Sequence, residues 1–466
     1  MSVTESRAHP SRPGADAAGT EDNRWWLVAG AGLLIFMAQF DTFVVTTALP
    51  TMQADLGFSS GTAQWVLLGF LLPLIAVSLP AGRWLDRVGG RPALTFAVAG
   101  FAVTSLGAGL APGLGWLIAA RAGQGVFAAL MIAQAFSLAT VAVQPAARGR
   151  SMAVVATLGS LGAVSGPTVG GYLTQAAGWP WIFYVNLPIG LLLIAMSWAQ
   201  APAGGPLRPP HRDALWEFAT LGAAAATLML SLSLSAGRGL AWLLLTVLAV
   251  PFVAAWSRIP ASREVIALVR RPGMAALHVV MLTVFAGLLS VQFVVPFHLH
   301  RTLHASAGTT GLVLLALPAA QVVVGPVGGI LTDRWGARPT ALAGIGVMIA
   351  GTALLVPLDP SWTTSDLAWR LGMIGVALGL SLGASQTLAM SQSPPGLLST
   401  TSASINLARQ LGIALGPALA TLLWAGSGFA VGGMRVALGL AVGLAVLAAI
   451  MLGSVARAGA GHGARP

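Results

Sequence analysis

One eleven-residue phrase occurs twice in this chain, and a chain that repeats itself is restricted to folds built from like parts. The first copy runs from Gly82 to Pro92 and the second from Gly329 to Pro339. Gly82, Asp86, Arg87, Gly89, Arg91 and Pro92 match Gly329, Asp333, Arg334, Gly336, Arg338 and Pro339 in register. Each copy closes one apolar run and opens the next, so each reads as a short charged hairpin between two buried helices. Gly162, Gly166 and Pro167 return as Gly412, Gly416 and Pro417, and Arg121 has a counterpart in Arg370. All three features recur after about 250 residues, which points to a duplicated half.

The apolar runs set the environment. A bilayer-spanning helix needs roughly 20 mostly apolar residues. Such runs cover 25–48, 62–84, 93–111, 116–143, 151–176 and 182–199, then 215–235 and 240–256. Six more follow at 274–297, 308–331, 339–357, 368–390, 402–424 and 434–455. Only 8% of the residues are charged, against about 25% in a soluble domain. The pattern predicts an all-α membrane protein of fourteen spans. Two parallel six-helix repeats carry two inserted helices between them, an even number that keeps both arginine hairpins on one side. The expected divisions are a disordered cytoplasmic tail at 1–24, a six-helix bundle at 25–200 and a linker at 201–213. The extra helices follow at 214–257, a cytoplasmic basic segment at 258–272, a second bundle at 273–455 and a cytoplasmic tail at 456–466.

A net charge of +11 would suit nucleic acid, but the cations lie elsewhere than such a partner requires. All are arginine, and most sit in alternate loops between apolar runs. That is the positive-inside pattern. It predicts a bacterial cytoplasmic (inner) membrane protein with both termini in the cytoplasm and no nucleic-acid partner. Cysteine is absent, so neither disulfides nor thiolate metal sites are expected. His298, His300 and His304 cluster without an adjacent acid, a weak metal-site pattern, and no metal is expected. No Walker-type phosphate loop occurs. The expectations are therefore no ATP, no cofactor and a proton gradient as the energy source. No clustered acid–base set marks an enzyme.

Charges inside the first half's spans are Asp41 and Arg121. A lone charge at the bilayer centre costs at least about 2.5–3.5 kcal/mol, so it is retained for function or paired. Asp41 lies about 10 Å, and Arg121 about 8 Å, from the outer ends of their helices, at 1.5 Å per residue. That common level predicts contact, directly or through Gln124 or water. Burial and a neighbouring arginine act on a carboxylate in opposite senses, so such a pair can exchange a proton near neutral pH. The alternative is a structural ion pair that locks two helices.

Glycines four apart let helix backbones approach, and Gly162, Gly166, Gly170 and Gly171 offer this face on one helix with Pro167 inside it. Whether that contact is a gate is left open by spacing alone. In the hairpins, Asp86 and Asp333 can cap or pair with helix ends and arginines, contacts that opening inward would break. Gln39, Phe40, Gln292, Phe293, Gln321 and Asn406 are candidate cavity residues, with core packing as the bland reading of each. His278 reads as a buried polar contact and Glu217 as interfacial.

These residues resemble the major facilitator superfamily, and more narrowly its fourteen-span drug:proton antiporter family, over about Trp25 to Val455. The hairpin Gly82 to Arg91 resembles the superfamily loop between helices two and three. Arg121-Ala122-Gly123-Gln124-Gly125 is similar to a helix-four motif whose arginine is implicated in proton coupling. Gly162 to Gly171 resembles the helix-five motif associated with export. Trp179 to Gly190 resembles a segment typical of the fourteen-span group. In the first helix, Phe43 and Thr46 stand where the family usually has threonine and asparagine, Gly90 replaces a frequent basic residue, and Pro180 a frequent arginine.

The resemblance implies a monomeric, proton-coupled exporter of amphipathic or cationic small molecules, working by alternating access. Its partners would be lipid, protons and the small-molecule substrate. The alternatives are a nutrient symporter or facilitator of the same superfamily and a non-transporting membrane sensor.

Overall fold

Long helices run the length of the molecule, antiparallel to their chain neighbours, because short turns reverse the chain between apolar runs. The computed structural model describes residues 23–455 except 89, 145–146, 201–206, 208, 211, 272 and 395–397. The expected tails, most of the 201–213 linker and Gly89 lie outside the described residues. For Gly82, Asp86 and Arg87 the backbone alone is described.

The first seven helices are α1 (Trp25–Leu56), α2 (Ser60–Val88), α3 (Gly90–Gly109), α4 (Leu114–Val141), α5 (Arg148–Ala177), α6 (Trp181–Tyr184) and α7 (Asn186–Gln200). Next come α8 (Arg212–Arg238), a 3₁₀ segment (Leu240–Leu248), α9 (Ala249–Ser257) and α10 (Pro260–Val269). The last six are α11 (Met274–Arg301), α12 (Ala307–Trp335), α13 (Ala337–Ala353), α14 (Thr364–Ser391), α15 (Leu398–Ala425) and α16 (Val431–Ser454). Among the described residues, twelve helices are long and apolar enough to cross a membrane. The expected spans at α5 and α13 are not among the twelve. α13 has 17 residues, and α5 carries nine glycines, serines or threonines from Thr157 to Gly171 in place of bulkier apolar side chains. Both are packed into the bundle, α5 on α1 and α12, α13 on α14 and α16.

The sequence reading ends the first helix near Ala48, with Asp55 in a loop. The helix instead runs through Pro50 to Leu56. Gly57, at φ 68°, ends it in a left-handed conformation open to glycine at little cost. Asp55 thus sits on the last turn, where its carboxylate accepts from Trp179 Nε1 at 2.7 Å. The sixth run is likewise broken at Val185 into α6 and α7.

Within each half the packing follows one scheme. α1 lies on α5, α2 on α4 and α3 on α4 and α7; α11 lies on α15, α12 on α14 and α13 on α14 and α16. The halves meet chiefly along two seams, α5 against α12 and α15 against α2, and α1 also touches α11 and α12. α8 covers the second seam from outside, touching both α2 and α15, and Trp65 Nε1 donates to Ser233 Oγ there at 2.7 Å. The 3₁₀ segment and α9 lean on α8 and bury no residue, which suits a lipid-facing position beside the core. Glu217, read as interfacial, lies in the second turn of α8 and is buried at 1% exposure.

Candidate functional site

The two hairpins lie at one face of the bundle, here the hairpin face. In the first half, four helices each contribute polar side chains to one point, which on α3, α4 and α7 lies near the end remote from the hairpin. Asp41 on α1, Ser105 on α3, Arg121 and Gln124 on α4 and Asn186 on α7 are all 0% exposed. Arg121 Nη1 is paired with Asp41 Oδ2. The same nitrogen donates to Gln124 Oε1 at 2.9 Å, and Arg121 Nε donates to the Val66 carbonyl at 3.2 Å. Gln124 Nε2 donates to Asp41 Oδ1 at 3.1 Å and to Ser105 Oγ at 2.7 Å. Asn186 Nδ2 reaches Asp41 Oδ1 at 3.1 Å. The guanidinium lies over the Phe70 ring at 4.3 Å, closing the set from above.

The carboxylate thus accepts from three side chains in a fully buried setting. Two atoms lack partners, Arg121 Nη2 and Asn186 Oδ1. An unmade hydrogen bond on a buried group costs about 1–3 kcal/mol. The predicted trio of Asp41, Arg121 and Gln124 is brought together; Ser105 and Asn186 were not foreseen.

Arg370 is placed differently. It stacks over Trp362 at 3.8 Å and Trp369 at 4.4 Å, near the end of α14 remote from the hairpins, and donates to the Asp366 carbonyl at 2.6 Å. The predicted correspondence with Arg121 does not extend to environment.

The glycine face of α5 has two contacts. A methyl group added at Gly162 would stand 2.4 Å from the Phe36 carbonyl oxygen of α1, and one at Gly170 2.9 Å from that of Val44. Gly166 meets the same strip of α1 at Val44. Gly171 belongs to the seam between halves: a methyl there would lie 2.4 Å from the Ala307 carbonyl oxygen of α12. From the other side, one at Gly311 would lie 2.6 Å from the Pro167 carbonyl oxygen. Hydrogen bonds between the halves gather at this far face. Gln175 Oε1 accepts from Ser306 Oγ at 3.1 Å and Gly308 N at 3.0 Å. Arg301 on α11 donates to Gln53 at 3.2 Å and also to Ser60.

At the hairpin face, Arg91 lies over the Trp198 ring of α7 at 5.6 Å, and Arg338 donates to the Gly453 carbonyl of α16. Each arginine thus ties a hairpin to the last helix of its own half. Asp333 and Arg334 are exposed, with no ion pair among the described residues.

The cavity candidates divide. Gln39, Gln321 and Asn406 are half-buried. Phe40 is buried and stacked on Phe36 at 5.9 Å. Gln292 is 8% exposed with an unpartnered Oε1. Phe293 is enclosed in an aromatic cluster through Phe297, 5.4 Å away. His278 bonds Ser404 Oγ at 3.0 Å. His298 is fully buried. Sequence reasoning missed Arg409, a charge mid-way along α15, although an arginine inside an apolar run was signal enough.

A family model described as the Major Facilitator Superfamily matches residues 31–417 and, separately, 280–462. The chain belongs to that superfamily. This Major Facilitator Superfamily protein is 29% identical over 416 residues to the "Multidrug resistance protein B homolog" of Mycobacterium tuberculosis, covering 85% of this chain and 76% of the relative. It is 29% identical over 469 residues to the "Puromycin resistance protein pur8" of Streptomyces alboniger, covering 94% and 92%. Among solved structures it is similar to a bacterial homologue of the human lysosomal transporter Spinster in an inward-facing and occupied conformation. That likeness has a TM-score of 0.69 at 18% identity and covers 93% of this chain and 97% of the other, and it speaks to the fold alone.

Proposed function

We propose that this superfamily member is a proton-coupled exporter of amphipathic or cationic small molecules in the bacterial cytoplasmic membrane. It spans fourteen times, as two parallel six-helix repeats with α8 and the 3₁₀–α9 segment inserted between them, and works as a monomer without ATP. The hairpin face is cytoplasmic. The bacterial relatives, a multidrug resistance protein homologue and a puromycin resistance protein, support export of such solutes. The observation that carries the coupling is the sealed Asp41–Arg121 pair with its neutral partners Gln124, Ser105 and Asn186.

In this reading the halves rock about a central site. Contacts at Gly171–Gly311, Gln175 and Arg301 hold the far face closed in the state described, while Asp333 and Arg334 stand apart at the hairpin face. Protonating Asp41 removes its ionic hold on Arg121 and loosens α1 from α4. α1 is also the helix against which Gly162, Gly166 and Gly170 pack, so a change at Asp41 reaches the α5–α12 seam. One proton moved across 100 mV supplies about 2.3 kcal/mol, enough to bias such a change.

The test is reconstitution into vesicles with an imposed pH gradient and a panel of dyes and antibiotics. Export predicts accumulation of solute on the side from which protons leave. Solute moving in the same direction as protons would replace the reading with symport. No gradient-dependent flux of any solute would leave a non-transporting protein.

A further inference from the structure

Arg409 is a further charge inside an apolar run, and among the described residues it has no counter-ion. It lies eleven residues into α15, about 16 Å from that helix end at 1.5 Å per residue. Its Nε and Nη2 both donate to Asn406 Oδ1, at 3.1 and 2.7 Å. The guanidinium lies 5.5 Å from the centre of the Phe285 ring on α11. Among the described residues it meets no carboxylate, and three of its five N–H donors have no protein acceptor. The side chain is half-buried.

Such a group cannot face hydrocarbon without large cost. α15 is flanked by α11 and α16 in its own half, by α2 across the seam and by α8 outside it. Arg409 is turned toward α11, over Phe285, and α11 itself packs on α1 of the first half, so its free donors lie on the side where the halves meet. Two turns further along the face of α11 that carries Phe285 stands Gln292, whose buried Oε1 has no donor. The nearest acid by function, Asp41, is fully buried and already paired. The interior thus presents one uncompensated positive charge, an aromatic ring beside it and a lone acceptor above.

We propose that Arg409 binds an anionic group, a carboxylate or ionised phenol, of an amphipathic solute whose aromatic body lies on Phe285 and whose hydroxyl or amine donates to Gln292. This rests on the exporter reading and narrows its substrates, favouring weak organic acids over cations. Asn406 acts as a positioning residue that fixes the plane of the guanidinium. A planar fork with free donors matches a carboxylate bidentately.

The test uses purified full-length protein with fluorescein as the anionic probe and ethidium as the cationic one. Binding is read by fluorescence anisotropy in detergent, and flux in vesicles under a pH gradient. Arg409→Gln should weaken fluorescein binding about tenfold or more, the scale of a lost charge-assisted hydrogen bond. Ethidium should bind Arg409→Gln as well or better, and Arg409→Lys should recover part of the fluorescein affinity. Size-exclusion profiles confirm that each variant is folded, and Arg409→Lys carries the comparison if Arg409→Gln is not. Equal fluorescein affinity in wild type and Arg409→Gln overturns the proposal, as does wild type that binds ethidium but not fluorescein. If no probe is driven by the gradient, the exporter reading falls, while the binding comparison still decides the anion site.

Discussion

The two halves join their helices by the same glycine contacts and enclose different chemistry. Gly125 on α4 meets the Phe70 carbonyl of α2 as Gly375 on α14 meets the Leu317 carbonyl of α12; an added methyl would stand 2.1 and 2.0 Å away. Gly162 meets the Phe36 carbonyl as Gly412 meets that of Leu282. These contacts fix which residues correspond. Arg121, four before Gly125, matches Leu371, four before Gly375. Gln124 matches Ile374. Asp41, five after Phe36, matches Gly287, five after Leu282. Leu371 and Ile374 are buried at 0% and 1%, so the second half fills with hydrocarbon the place where the first keeps an ion pair. Arg370 sits one position earlier than Leu371, turned about 100° around the helix, and so faces the tryptophans instead. The same helix packing is thus made in one half around a polar set and in the other around hydrocarbon, which is the contrast that the proposed coupling role rests on.

The largest effect should come from making the first half resemble the second in part. Arg121→Leu leaves Asp41 buried without its partner, which costs about 3–5 kcal/mol. The melting temperature in detergent should fall steeply. Asp41→Ala together with Arg121→Leu should recover much of that loss, because apolar replacement of a whole buried pair is often near neutral. A double variant as unstable as Arg121→Leu alone would show that the site holds the half together, and the comparison would fail. Asp41→Asn keeps size and hydrogen bonding but cannot exchange a proton as the acid does. Gradient-driven flux should drop at least about a hundredfold, a transport loss worth roughly 2.7 kcal/mol, while the fold survives. Undiminished flux removes Asp41 from coupling.

Much of this was legible beforehand, for identifiable reasons. Charges are so costly in apolar runs that Asp41 and Arg121 announce themselves, and the shared depth of their positions brings Gln124 with them. Ser105 and Asn186 do not stand out, since a serine or asparagine in a membrane helix can satisfy itself on its own backbone. Thr42, which bonds the Ala38 carbonyl at 2.7 Å, is such a case. The Arg121–Arg370 correspondence fails by one residue because the offset between the halves differs slightly from helix to helix, and one residue is enough to turn a side chain outward. The length of α1 was hidden by Pro50 and Asp55, which read as a loop; the structure carries the helix on to Gly57. Arg409 is visible as a charge, but its meaning lies in the lack of a carboxylate near it, which only contacts reveal.

The seams extend the contrast. Five residues after the matched Gly166 and Gly416, the first half has Gly171 and the second Thr421. Only the first seam can bring backbones together at that level. Gly171→Ala places a methyl against the Ala307 carbonyl, and neither atom belongs to a flexible side chain, so the far face must part. The protein has no cysteine of its own, so Gln175→Cys with Gly308→Cys reports the distance without background. The two should cross-link readily, and several-fold less when Gly171→Ala is added. An unchanged yield would mean that the halves accommodate the methyl and that the glycine does not gate.

The smallest effect is the most discriminating. Arg370 shares its residue type and its place in the helix with Arg121 to within one position, so a repeat read from sequence alone assigns both the same duty. The contacts assign Arg370 to anchoring instead: it lies over two tryptophans and binds the first turn of α14. A partly exposed cation–π contact is worth about 0.5–1 kcal/mol. Arg370→Gln should therefore lower the melting temperature only slightly and leave gradient-driven flux and its pH dependence as they are. If flux instead falls as far as in Arg121→Leu, proton coupling is spread over both halves. The hydrocarbon filling around Leu371 would then be a poor guide to where coupling resides.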